Sequence, residues 1–125
     1  MIRRITPEQL WKKWSRKTDA LYPVPAYDGA FVIEIDPPGE FDVIHPVRSV
    51  SLPIEDLDAH ARERLGPPGR EIVIVGSESR RHEVEEAARR LLALGYPELY
   101  ALEGGREAWI RGGWPTVTSL PPRSA

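Results

Sequence analysis

The chain has no cysteine in 125 residues. No thiolate can serve it as nucleophile or metal ligand, and no disulfide framework can hold its fold, so the fold rests on an ordinary core. A basic excess is also missing. The formal net charge is −2, so no positive field recruits nucleic acid or an anionic membrane surface. Apolar runs are short: Ile72–Val75 is typical and falls far below the roughly 20 residues that a membrane span needs. Met1-Ile2-Arg3-Arg4-Ile5 carries two arginines with no apolar stretch behind them, so no signal peptide is expected and the expected location is cytoplasmic. His45, His60 and His82 show no metal-site spacing, and neither a metal nor a cofactor is expected. Internal repeats are absent. Lysine is scarce, with Lys12, Lys13 and Lys17 the only ones among 17 basic residues, while proline reaches 13. Heat tolerance and a GC-rich genome both produce that bias.

What is present reads as alternating helices and strands. Thr6-Pro7-Glu8-Gln9 starts a helix, with Thr6 as N-cap, Pro7 at the first helical position and Gln9 closing a capping box. Leu10, Trp11 and Trp14 form its apolar stripe, and it fades near Lys17. Leu21 to Gly29 is an irregular connector. Phe31–Ile35 is a strand stopped by a turn at Pro37-Pro38-Gly39, and Val50-Ser51-Leu52 is a short second strand. Ile54, Leu57, Ala61 and Leu65 recur at helical spacing up to Gly66.

Glu71–Val75 is short, β-branched and continuous, as a strand covered on both faces should be. After the polar loop Gly76–Arg81 comes a helix with Val84, Ala87, Ala88, Leu91 and Leu92 inward, capped by Gly95. Glu98–Leu102 is a further strand, and Gly104-Gly105 turns it into a short helix through Trp109. The order predicts one α/β domain over residues 1–117, a central parallel sheet with helices on both faces, and a disordered tail over 118–125.

Two stretches carry a family resemblance. Val32-Ile33-Glu34-Ile35-Asp36, then Glu40-Phe41, His45 and Leu52-Pro53, are similar to the acidic strand end, Glu-Phe pair, "GHI" histidine and "IP" exit of rhodanese-like domains. Leu102-Glu103-Gly104-Gly105-Arg106-Glu107-Ala108-Trp109, followed by Gly113-Trp114-Pro115, resembles the family's C-terminal Gly-Gly, Trp and Gly-x-Pro pattern. The resemblance spans roughly residues 5 to 117 and implies a rhodanese-like fold. It also implies a site, at the cysteine that ends the strand here written Ile-Val-Ile-Val. Gly76 is that cysteine's most natural counterpart, and a six-residue loop count would place it at Glu78 instead. Asp36 stands where the family usually has arginine, Glu34 replaces its aspartate, and Ile44 and Arg48 replace two glycines.

The candidate site is the loop Ser77, Glu78, Ser79, Arg80, Arg81 and His82. Backbone N–H groups and a helix N-terminus there suit a small oxyanion, thiosulfate, sulfate or phosphate, with Arg80 and Arg81 adding charge. Against this, Glu78, Glu83, Glu85 and Glu86 satisfy the same helix end, which favours a self-satisfied turn. Ser77 or Ser79 as nucleophile would need a base, with Glu78 and His82 nearest, and no third group orients one. Glu34, Asp36 and Glu40 read as solvated acids at a strand exit. The expected function is a catalytically inactive rhodanese-like module that binds a small anion or a protein partner. Two alternatives stand beside it: sulfurtransferase activity completed by a partner's thiol, and a structural subunit of a larger assembly. Gly76→Cys is the substitution that asks whether the loop keeps a reaction-competent shape.

Overall fold

The computed structural model describes residues 2–17, 31–66 and 68–118. The expected connector at 21–29 and the tail beyond Thr118 lie outside the described residues, as do the side chains of 14–17. Thr6 and Gln9 form the expected capping box: Thr6 N–H donates to Gln9 Oε1 at 2.9 Å and Gln9 N–H to Thr6 Oγ1 at 3.1 Å. Two orphan donors of the helix start are thereby satisfied. This helix is α1 (Pro7–Lys17), preceded by a short strand, β1 (Arg3–Ile5), which the sequence pattern does not signal.

β2 (Phe31–Glu34), β4 (Val50–Ser51), β5 (Ile72–Val75) and β6 (Leu99–Leu102) join β1 in one sheet of order β1-β6-β5-β2-β4. Every pairing is parallel, with Glu34 opposite Val75, Ile74 opposite Ala101 and Ile5 opposite Leu102. Helices return the chain after strands, so the C-terminal ends of β2, β5 and β6 lie side by side.

Alternation divides the core. Ile33, Ile72, Ile74 and Ala101 face α3 (Leu57–Leu65) and α4 (Arg81–Ala93), packing on Leu57, Ala61, Leu65, Val84, Ala87 and Leu91. Val32, Val73, Val75 and Leu102 face the other way, onto Leu10 of α1 and Trp109 of α5 (Gly105–Arg111). Leu92 was expected inward and is 56 % exposed. Successive helical positions differ by about 100°, so Leu91 and Leu92 cannot both face the sheet, and Leu91 is the buried one.

Pro37-Pro38-Gly39 is not a turn that stops the chain. Pro37 is the N-cap and Pro38 the first residue of a six-residue helix, α2 (Pro38–Val43). Proline there forfeits no intrahelical bond, and Glu40 in the first turn suits the positive helix end. Beyond it β3 (His45–Pro46) pairs antiparallel with β7 (Thr116–Val117). Trp11 is half-buried, its ring 6.4 Å from that of Trp114, so it packs on the C-terminal segment. Trp109 Nε1 donates to Pro115 O at 2.8 Å, which pins the same segment.

Candidate functional site

Gly76 continues β5, and the loop rising from it makes a 3₁₀ turn, Glu78–Arg80, before α4 begins at Arg81. Gly76 is buried, and a Cβ there would lie 2.8 Å from Val84 Cγ2 and 3.2 Å from Ile35 Cγ1. The sheet and α4 are therefore packed around a residue without a side chain. Gly105 approaches from α5: its N-cap neighbour Gly104 and Gly105 itself have φ of +77° and +68°. A Cβ on Gly105 would come within 2.5 Å of Gly76 O. The tight strand-to-helix turn expected of this glycine pair is present, and it also brings α5 against the loop.

The loop's donors converge on carboxyl groups of the protein itself. Ser77 N–H donates to Asp36 Oδ1 and Ser77 Oγ to Asp36 Oδ2, both at 3.0 Å. Glu78 N–H donates to Glu107 Oε1 at 2.9 Å. Arg80 Nη1 reaches Asp36 Oδ1 at 3.1 Å and Glu40 Oε2 at 2.6 Å, and these two contacts hold its guanidinium more firmly protonated than usual, Glu40 more than Asp36. Arg80 N–H is spent on Ser77 O at 2.8 Å. Ser77 and Arg80 thus meet around Asp36, while Arg81 and His82 are exposed and take no part there, the His82 side chain being 98 % exposed. Ser79 is exposed. Neither serine is in contact with Glu78 or His82 as a base; Ser77 Oγ is instead an anchor donating to a carboxyl.

Glu34 and Asp36 are not solvated acids: both are fully buried. Strand alternation puts Glu34 on the Val32 face, towards α5, from which Arg106 enters, itself buried. Arg106 Nη2 donates to Glu40 O at 3.0 Å and to Ile44 O, tying α2 and its exit to α5. Its Nε lies 3.3 Å from Glu34 Oε1 and 3.8 Å from Asp36 Oδ2. The geometry allows Coulomb attraction but no hydrogen bond, since Arg106 Nε and both Glu34 oxygens lack a hydrogen-bond partner among the described residues.

Burial pushes the Glu34 carboxyl up to about 8, Arg106 pulls the other way, and Asp36, Glu40 and Glu107 push it further up. At neutral pH Glu34 therefore holds its proton. His45 Nδ1 is 2.8 Å from Phe41 O and its ring stacks on Phe41 at 3.8 Å. No group of His, Asp and Glu among the described residues is arranged to hold a metal ion.

The sequence pattern gives no local sign of this charged cluster, because its members come from 34–40, 77–80 and 106–107. One signal was available: an acid inside a strand that must be covered on both faces calls for a buried cation.

Residues 6–111 match the family profile of the rhodanese-like domain. Among solved structures, a thiosulfate sulfurtransferase from Pseudomonas aeruginosa superposes with a TM-score of 0.78 at 18 % identity. That match covers 95 % of this chain and 20 % of the enzyme, so the chain spans about a fifth of that protein's length. The rhodanese-like domain of protein Alr3790 from Anabaena sp. gives 0.71 at 21 % identity over 100 % of this chain and 88 % of that one. Protein BH2092 from Bacillus halodurans gives 0.77 at 17 % identity over 94 % and 78 %. At these identities the likeness is one of fold. No curated protein matches the chain. No helix among the described residues is long and apolar enough to cross a membrane.

Proposed function

The chain belongs to the rhodanese-like domain family, and because it carries no cysteine, we propose that it is a non-catalytic member acting as a binding module for a protein partner. One observation carries the reading. Asp36 takes the Ser77 N–H, the Ser77 hydroxyl and the Arg80 guanidinium, so the loop holds an acid of its own where a small oxyanion would sit. Donors already bonded to a fixed carboxyl have little left for a mobile anion in water.

A protein partner does not need an open loop. Val43 at the end of α2 is 48 % exposed and Val117 on β7 is 39 % exposed. β7 pairs with β3 at His45, two residues beyond Val43, which supports this corner as the partner-facing surface. A thiol supplied in trans fits less well, because Gly76 and Ser77, where it would have to work, are buried.

The test is a calorimetric titration with thiosulfate, sulfate and phosphate at low salt, where screening is weakest. Wild-type protein should give no saturable heat. Asp36→Ala should gain one-site binding, because the donors at Ser77 and Arg80 then lose their internal acid. Saturable wild-type binding that vanishes in Arg80→Ala would overturn the closed-loop reading. A folded Asp36→Ala protein that binds none of the three would remove Asp36 as the stand-in anion.

A further inference from the structure

The loop has a second side. Strand order places β2 and its Asp36 to one side of β5, and β6 and β1 to the other. On the β6–β1 side, against the first turns of α4, is a cavity of about 240 Å³ that Asp36 does not line. Ile2, Val84 and Ala101 give it an apolar floor, with the backbone of Gly76 and Gly104-Gly105 at its edge. Five charged side chains surround it: Arg4, Arg81, Glu78, Glu85 and Glu103.

Each charge has a structural reason to be there. Arg4 is opposite Ala101 in the β1–β6 register, so it shares the sheet face on which α4 lies. Arg81 opens α4 and Glu85 follows one turn later on the same helix face. Glu78 belongs to the 3₁₀ turn, and Glu103 follows β6 with its N–H held by Ile5 O at 2.8 Å.

These charges do not neutralise one another. The guanidiniums of Arg4 and Arg81 and the carboxylates of Glu78 and Glu103 have no ion pair or hydrogen bond among the described residues, and the ion contact of Glu85 is with exposed His82 at 3.8 Å. Elsewhere on the molecule arginines find acids readily: Arg3 meets Glu98 at 2.5 Å, and Arg89 and Arg90 meet Glu86 at 2.6 and 3.1 Å.

We propose that this cavity binds a small aliphatic α-amino acid as its zwitterion. Its carboxylate meets Arg4 and Arg81, its ammonium meets Glu78, Glu85 and Glu103, and its side chain rests on Val84 and Ala101. A bare oxyanion would add charge beside three glutamates, and a bare cation would add it beside two arginines. A ligand of both signs answers both sets, and charge-assisted bonds to the guanidiniums fix its direction. The volume lies below the roughly 300–1,000 Å³ of pockets for drug-sized ligands, which suits an amino acid. This proposal does not depend on the protein-partner reading, since it uses the other side of the loop.

The experiment is amide-resolved NMR titration of the full chain with glycine, L-alanine, L-valine and L-leucine. Two half-ligands of valine are titrated beside them: isovalerate, which lacks the ammonium, and isobutylamine, which lacks the carboxylate. Saturable shifts at Arg4, Arg81, Gly104 and Gly105 are expected with at least one amino acid, with each half-ligand about tenfold weaker or more. Arg4→Gln and Glu103→Gln should each weaken binding by about tenfold while leaving the melting temperature unchanged, because both side chains are exposed. No saturable shift with any of the four amino acids would overturn the proposal. So would isovalerate or isobutylamine binding as tightly as valine, which would make the cavity a plain anion or cation site.

Discussion

The two sides of the Gly76–Arg81 loop are built from the same residue types and end in opposite states. Towards β2, arginine and acid are matched: Arg80 with Asp36 and Glu40, and Arg106 with the carbonyls of Glu40 and Ile44. The Ser77, Arg80 and Arg106 Nη2 donors there are spent inside the protein, and the centre is buried, with Glu34 beside Arg106 Nε but not hydrogen-bonded to it. Towards β1, arginines and glutamates stand around a cavity without meeting. Burial makes the difference. A charge taken out of water must be paired or lose its charge, whereas the same groups at a solvated rim tolerate separation at little cost. The closed side is thus a structural device, and the binding proposed for this chain falls to the open side and to the corner of α2 and β7.

The hardest blow to this contrast is expected from Arg106→Ala. It would leave Asp36 with one guanidinium instead of two and strip the carbonyls of Glu40 and Ile44 of their donor. Removing one member of a buried charge network costs roughly 3–5 kcal/mol. Chemical denaturation should show that loss, with α2 coming loose from α5. A variant within 1 kcal/mol or so of wild type would mean that the buried side is not held by its charges.

Glu34 provides a comparable effect, spread over pH. Its carboxyl titrates at about 8 in the folded protein against 4.5 as an ordinary glutamate, so folding takes up a proton between those values. Stability from this group is greatest below pH 4.5, falls as pH rises through the window, and is level again above about 8. Between pH 5 and 9 the loss is about 4 kcal/mol on the linkage relation. Glu34→Gln should abolish that slope and be the more stable protein at pH 9. Denaturation midpoints measured across the range decide it: parallel curves for the two proteins would mean that Glu34 is ionised in the fold.

Much of the scaffold is legible in the sequence because its causes are local. The capping box at Thr6-Pro7-Glu8-Gln9, the β-branched run Ile72–Val75 and the Gly104-Gly105 turn each sit within a few residues and dictate backbone directly. The candidate loop is only half legible. Its self-satisfied character can be argued from Glu78 and the acids of α4, yet the acids that fill it are Asp36 and Glu107, about 41 and 29 residues away from their loop partners Ser77 and Glu78 in sequence. Such pairings follow from strand order and register, which no short window contains. Reading Glu34 and Asp36 as solvated failed for the same reason: α2 and α5 cover that strand exit, and α2 begins at a Pro-Pro-Gly that looks like a turn. β1, β3 and β7 are two or three residues long, too short for any alternation to show.

The smallest expected effect touches the point where the two sides join. Gly76→Cys would place a thiol at the end of β5, but the new Cβ would press on Val84 Cγ2 at 2.8 Å and Ile35 Cγ1 at 3.2 Å. Valine is β-branched and has little rotamer freedom in a helix, so the strand or α4 must shift, at a cost of roughly 1–3 kcal/mol for such overpacking. The thiol would also arrive beside the Ser77 and Glu78 N–H groups, which are already committed to Asp36 and Glu107 and so are not free to stabilise a thiolate or an oxyanion. The variant should melt lower than wild type and show no thiosulfate:cyanide turnover. Turnover above the wild-type background would mean that the closed side opens when a nucleophile is present, and the contrast between the two sides would then be one of state rather than of construction.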